Sequence, residues 1–163
     1  MPTVYHPRQA VRGLLIDRAQ REVLLIQSLV PDTNTLIWLA PGGGLEPGEA
    51  PLDGLFREIS EETGLTINAA TGPVWTRRMK FTLYGKAWDQ SEAYYYVPVT
   101  KFEPNARLNP AQNERNSFRA FRWWSAEAIA AATDEIFVPL TFADHYSRLL
   151  NDGPRQPAYD VGR

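Results

Sequence analysis

The sequence predicts a single α/β domain, and three observations carry that expectation. The chain has 163 residues with 44% hydrophobic content, which suits one compact core and is too short for two full-sized ones. Apolar runs of strand length stand on both sides of a segment whose apolar residues recur at helical spacing. Clusters of Gly and Pro separate these segments and break regular structure.

Residues 10–16 and 22–27 are short apolar runs joined by the polar stretch Asp17 to Arg21, the pattern of two strands and a turn. A third strand is expected over Leu36 to Ala40. Pro41-Gly42-Gly43-Gly44 then interrupts regular structure, and Glu46-Pro47-Gly48 prolongs the loop. From Pro51 the apolar residues Leu52, Leu55, Phe56 and Ile59 mark one helical face, with Pro51 in the tolerant first turn and Gly64 as the stop. Val74 to Tyr84 and Glu92 to Val99 read as strands of a hairpin that turns near Gly85-Lys86. Residues 101–116, rich in Asn, Pro, Arg and Glu, read as a loop, and Phe118 to Trp124 as a strand. Ser125 is placed to cap a short helix over Ala126 to Ala132, and Val138 to Leu150 suits a closing helix that ends at Asn151-Asp152-Gly153. The expected domain is 1–153. The tail, 154–163, carries two prolines and few apolar anchors and is expected to fray.

Composition removes whole classes of function. Seventeen basic and nineteen acidic residues leave a formal charge of −2, so no global positive field favours nucleic acid or an anionic membrane. The longest apolar runs are five residues, against about 20 needed to cross a bilayer. Residues Met1 to Pro7 lack the layout of a secretory signal and there is no cysteine, which together favour a cytoplasmic location. Without cysteine there is no thiol nucleophile, thiolate zinc site or iron–sulfur cluster. Two histidines, His6 and His145, exclude a three-histidine zinc site and read as surface residues without catalytic duty. No G-x-S-x-G elbow is present, so any hydrolysis must rest on carboxylates.

Those carboxylates lie on the central helix. With Glu58 taken as zero on a helical wheel, Glu61 falls at about −60° and Glu62 at about +40°, while the apolar stripe centres near about +115°. Three acids therefore share one face beside the packing stripe. Arg57 is the one cation near them in sequence, with Glu49 and Asp53 adding further negative charge. Divalent cations would neutralise such a cluster, and oxygen-only donors favour Mg²⁺ or Mn²⁺. A solvated acidic face is the alternative.

The spacing decides between them. Gly43-Gly44-Leu45-Glu46-Pro47-Gly48-Glu49, seven further residues, then Arg57-Glu58-Ile59-Ser60-Glu61-Glu62-Thr63-Gly64-Leu65 satisfy G-x5-E-x7-R-E-U-x-E-E-x-G-U, where U is aliphatic. This run resembles the signature box of the Nudix hydrolases. A phosphate-cradling P-loop is a poor match, since Glu49 stands where a lysine should, and Pro47 spoils a dinucleotide-binding glycine pattern. The resemblance implies an α/β/α sandwich around a mixed sheet, and hydrolysis of a nucleoside diphosphate linked to some group X with Mg²⁺ or Mn²⁺. It also implies that Glu58, Glu61 and Glu62 are metal ligands, that Arg57 and Glu49 orient them, and that Gly43 lends a backbone carbonyl. The expected partner is a small-molecule nucleotide, with no nucleic acid or membrane, and a homodimer is compatible with the sequence. The rival reading is a Nudix module that senses a nucleotide without cleaving it.

Outside the box, strand alternation places Glu92, Tyr94 and Tyr96 on one face and Ala93, Tyr95, Val97 and Val99 on the other. The first face suits a wet aromatic cleft, with Glu92 as an additional metal ligand and Tyr94 and Tyr96 against substrate. Tyr84 and Arg77 are further candidates for base stacking and phosphate binding. Glu114, in the Asn/Pro-rich loop, is the candidate general base.

Overall fold

The computed structural model describes residues 1–106, 109 and 116–163. In chain order the elements are β1 (His6–Asp17), β2 (Glu22–Val30), β3 (Thr35–Leu39), β4 (Gly42–Gly44), α1 (Pro51–Thr63), β5 (Thr71–Leu83), β6 (Lys86–Pro98), β7 (Phe118–Ser125), α2 (Ala126–Ala131), β8 (Phe137–Val138), α3 (Phe142–Asp152) and β9 (Tyr159–Asp160). The strands join in one mixed sheet of order β8-β3-β2-β1-β6-β5-β9, with β4 added on β1 and β7 on β2. Its spine is the parallel ladder of β1 and β6, which runs in register from His6 opposite Trp88 to Ile16 opposite Pro98.

Each face of the sheet is covered by helix. Leu55 and Ile59 of α1, both fully buried, pack on Val11, Leu15, Leu24, Tyr95 and Val97. Gly13 permits the close approach, because a Cβ there would lie 2.6 Å from Ile59 Cδ1. The opposite face carries Leu14, Ile16, Trp75, Tyr94 and Tyr96 beneath Phe142, Tyr146 and Leu149 of α3 and Ile129 of α2. The expected α/β/α sandwich around a mixed sheet is what the chain forms. No helix among the described residues is long and apolar enough to cross a membrane.

Local signals held where the chemistry was local. Helix α1 ends at Gly64 in the left-handed conformation (φ 79°), and the Ser125 hydroxyl accepts a hydrogen bond of 3.1 Å from the Ala128 amide. Three expectations are corrected. Gly42–Gly44 is not a structureless break but a short strand paired antiparallel with β1, opposite Ala10 to Arg12. The closing helix begins at Phe142, because Val138 belongs to β8 beside β3. The tail does not simply fray: β9 pairs in parallel with β5, the Val161 amide donates to the Thr76 carbonyl at 2.9 Å, and the Val161 side chain is buried. His145 hydrogen-bonds Thr141 and Tyr159 and so helps hold this docked tail.

Candidate active site

The box folds as the end of β4, a loop, and the whole of α1 with its stop at Gly64, which brings its charges around Arg57. The guanidinium grips Glu49 in a bidentate pair, both bonds 2.8 Å, and donates to Glu58 at 3.0 Å, Glu61 at 3.3 Å and the Gly44 carbonyl at 3.3 Å. The acids are thus less uncompensated than their sequence neighbourhood suggests, because one planar donor group can serve several carboxylates at once. The hydrogen bonds from Arg57 hold the Glu49 carboxyl at about pH 2, well below the ordinary carboxylate range. In return Glu49 raises the Arg57 pKa further. Glu62 is tied to the approach of β4, where its Oε2 accepts a 2.9 Å hydrogen bond from the Gly42 amide.

Glu58 is buried, and Gly43 lies directly against it: a Cβ on Gly43 would meet the Glu58 carboxyl at 2.7 Å. Oxygen donors from Glu58, Glu61, Glu62 and the Gly43 carbonyl therefore suit a hard divalent cation in kind and neighbourhood. Among the described residues no three carboxylates already converge on one point, since Arg57 stands between Glu49, Glu58 and Glu61.

A second charged group stands beside the box. Glu92 is buried, and its two oxygens accept from Arg12 Nε at 2.7 Å and from Arg77 Nη1. Burial alone would push the Glu92 carboxyl up, but the Arg12 and Arg77 charges outweigh it and hold its pKa below the ordinary value. Arg12 also donates to the carbonyls of Ala40 and Gly42, each at 3.2 Å, so it ties Glu92 to the start of the box. Glu92, expected as an additional metal ligand, is found with both oxygens accepting from guanidinium groups. Arg77, expected as a phosphate holder, is instead a buried member of this triad.

The expected aromatic cleft is only half right. Glu92, Tyr94 and Tyr96 do share a face, but α3 covers the tyrosine end of it. Tyr94 packs in the core at 5.4 Å from the Trp75 ring, and Tyr96 is buried with it, so neither stands in a wet cleft. The end not covered by α3 forms a cavity of about 970 Å³ lined by Arg8, Arg12, Arg77, Gln90 and Glu92, by Gly42 and the box residues Gly43 and Glu62, and by apolar side chains of β2, β3 and β5. Tyr84 lines it from the β5–β6 turn; its amide donates to Asp32 at 3.1 Å and its hydroxyl lies 3.2 Å from the Ser117 hydroxyl. Glu114 falls outside the described residues. Sequence reasoning missed Arg12, although an arginine inside the apolar run Ala10 to Ile16 is an informative signal: a charge there must find a buried partner. It also missed Gln90.

Comparison with known proteins agrees with this geometry. An RNA pyrophosphohydrolase of Ruthia magnifica is 31% identical over 107 residues, which span 60% of this chain and 58% of that protein. The human 8-oxo-dGDP phosphatase NUDT18 is 40% identical over 65 residues, 36% of this chain and 20% of that protein. The crystal structure of a MutT protein from Methanosarcina mazei Go1 shares the fold with a TM-score of 0.62 and 21% identity, covering 94% of this chain and all of that one. The NUDIX domain model matches residues 6–143, most of the chain and the whole of the box, and the chain belongs to that family.

Proposed function

We propose that the chain hydrolyses a pyrophosphate linkage in a nucleoside diphosphate joined to a second group, with Mg²⁺ or Mn²⁺ held by Glu58, Glu61, Glu62 and the Gly43 carbonyl. One observation carries the reading: Gly43 and Glu62 of the box line the same cavity as the apolar walls of β2, β3 and β5. A nucleoside seated on those walls extends its phosphates toward the carboxylates. The cation, when bound, supplies neutralisation of the pyrophosphate and activation of the attacking water.

The chain's own residues do the remaining work. Arg57 holds Glu49, Glu58 and Glu61 in place before any ligand arrives, and the Gly42 amide fixes Glu62. Tyr84 offers a half-exposed ring at the cavity for stacking against a base. Glu114 is the proposed proton acceptor, with Glu58 next in line. The names of the relatives make a nucleotide-type substrate the natural class, and the absence of cysteine agrees with action in the cytoplasm.

The test is a metal-supplemented turnover screen across nucleoside triphosphates, 8-oxo-dGDP, ADP-ribose, dinucleoside polyphosphates, sugar nucleotides and short RNA with a 5′-triphosphate. Phosphate release from at least one class, abolished by chelation, is expected. Tight binding of a nucleotide without turnover of any compound would replace this reading with that of a sensing module.

A further inference from the structure

The cavity beside the box is lined mainly by apolar groups, among them Ile26, Leu39, Met79, Phe81 and Phe118. Charged and polar residues interrupt that surface, and two of their atoms stand out. Gln90 Oε1 and Arg77 Nε belong to residues only 4% exposed, and neither atom has a hydrogen-bond partner among the described residues. Arg77 spends its Nη1 on Glu92, which leaves Nε–H as a second, separate donor. Buried polar atoms without partners destabilise a fold, so their survival calls for a role. The Trp124 indole and the Tyr146 hydroxyl also have no partner among the described residues, but both sit in the packed core with α2 and α3. Gln90 and Arg77 face a cavity.

Their placement is systematic. Arg77 stands opposite Glu92 and Met79 opposite Gln90, so Arg77 and Gln90 occupy diagonal positions on one face of the β5–β6 ladder. Diagonal side chains of this kind lie about 7–8 Å apart at the backbone, a spacing that two long side chains can close on a single planar ligand. A phosphate pressed against Met79 and Phe81 would lose its hydration, and a wholly apolar ligand would leave both polar atoms unmet. A heteroaromatic ring whose edge carries a donor beside an acceptor satisfies every wall.

We propose that Gln90 is the specificity-determining residue of this cavity, reading the edge of a nucleobase together with Arg77 Nε while the apolar walls hold the faces of the ring. The inference rests on the nucleotide reading of the site and names the part of the substrate that the cavity selects. The volume of about 970 Å³ is at the upper end for small-molecule sites and admits the nucleoside with part of the second group.

The experiment uses the full chain without divalent metal, so that no turnover intervenes. Binding of AMP, GMP, CMP and UMP is measured by calorimetry, with ribose 5-phosphate as the baseless control, for wild type and Gln90→Leu. Wild type is expected to prefer its best base over its worst by about 10-fold or more, the discrimination usual for a two-point polar contact. Gln90→Leu should reduce that ratio below about threefold and leave ribose 5-phosphate binding unchanged. Its thermal midpoint should equal or exceed that of wild type, because an unpartnered oxygen is exchanged for methyl groups of similar volume. Retained base preference in Gln90→Leu, equal affinity of wild type for all four bases, no binding of any of them, or a marked fall in the variant's midpoint each overturns the proposal. Turnover is scored separately: hydrolysis without base preference sinks this inference and leaves the hydrolase reading standing, whereas a Gln90-dependent base preference without hydrolysis does the reverse.

Discussion

At the scale of single residues, the proposed function separates carboxylates that would act on a ligand from charges that hold the structure. Glu61 and Glu62 are partly exposed and carry no packing role, so Glu61→Gln and Glu62→Gln should lower turnover by at least about 100-fold. In metal-free buffer each should melt with wild type; a clear loss of metal-free stability would mark them as structural acids. Glu92 behaves in the opposite way. Glu92→Gln leaves Arg12 and Arg77 buried without their anion and should cost about 3–5 kcal/mol in urea unfolding. The metal concentration giving half-maximal activity should stay where it is, whereas a true ligand would raise it. That comparison decides between the triad and direct coordination.

At the scale of elements, α1 has two jobs on adjacent faces. Its apolar stripe anchors the sandwich, and Leu55→Ala should cost about 2–5 kcal/mol because the side chain is fully buried between β1 and β6 and cannot be replaced by water. Activity of the folded fraction should survive, since Leu55 belongs to the apolar cluster on the packing face of α1. The tail is a second element whose role is testable. Removing 154–163 deletes the β9 pairing and exposes the pocket that Val161 fills, a loss of about 1.5–3 kcal/mol from burial. A fall in thermal midpoint of several degrees is expected. An unchanged midpoint would show the docked tail to be an ornament of the edge strand.

At the scale of the whole molecule, acid stability should follow the carboxylates that arginine holds. Glu49 and Glu92 have folded pKa values below their ordinary ones, by the hydrogen bonds of Arg57 for the first and, against the cost of burial, by the charges of Arg12 and Arg77 for the second. A depressed carboxylate stabilises the fold fully above its unfolded pKa, and the contribution disappears as pH falls through the folded one. For Glu49 that window runs from 4.5 down to about 2. Unfolding free energy, measured in urea without metal, should therefore change little with these groups above pH 5 and decline below it. Arg57→Gln should flatten the decline, because Glu49 would then titrate closer to its unfolded value; an equally steep decline would assign the acid sensitivity to other groups.

What the sequence determined by itself was everything written in short-range spacing. The helix from Pro51 to its stop at Gly64, the acidic cluster Glu58, Glu61 and Glu62, the Arg57 beside them and the family itself are all legible there, because helical periodicity and the box both act within a few turns. The alternation along β6 was legible too: Tyr95 and Val97 do pack under α1, and Glu92, Tyr94 and Tyr96 do share the other face. What that second face became was decided only in three dimensions. The parallel pairing of β1 with β6 brings Arg12 beside Glu92 across 80 positions of sequence, a contact no local pattern encodes. The packing of α3 then covers Tyr94 and Tyr96 and stops short of Gln90 and Glu92, which line the cavity, so one continuous strand face is divided into core and cavity wall. Periodicity states which side chains share a surface; only the elements that arrive from elsewhere in the chain settle whether that surface meets protein or substrate.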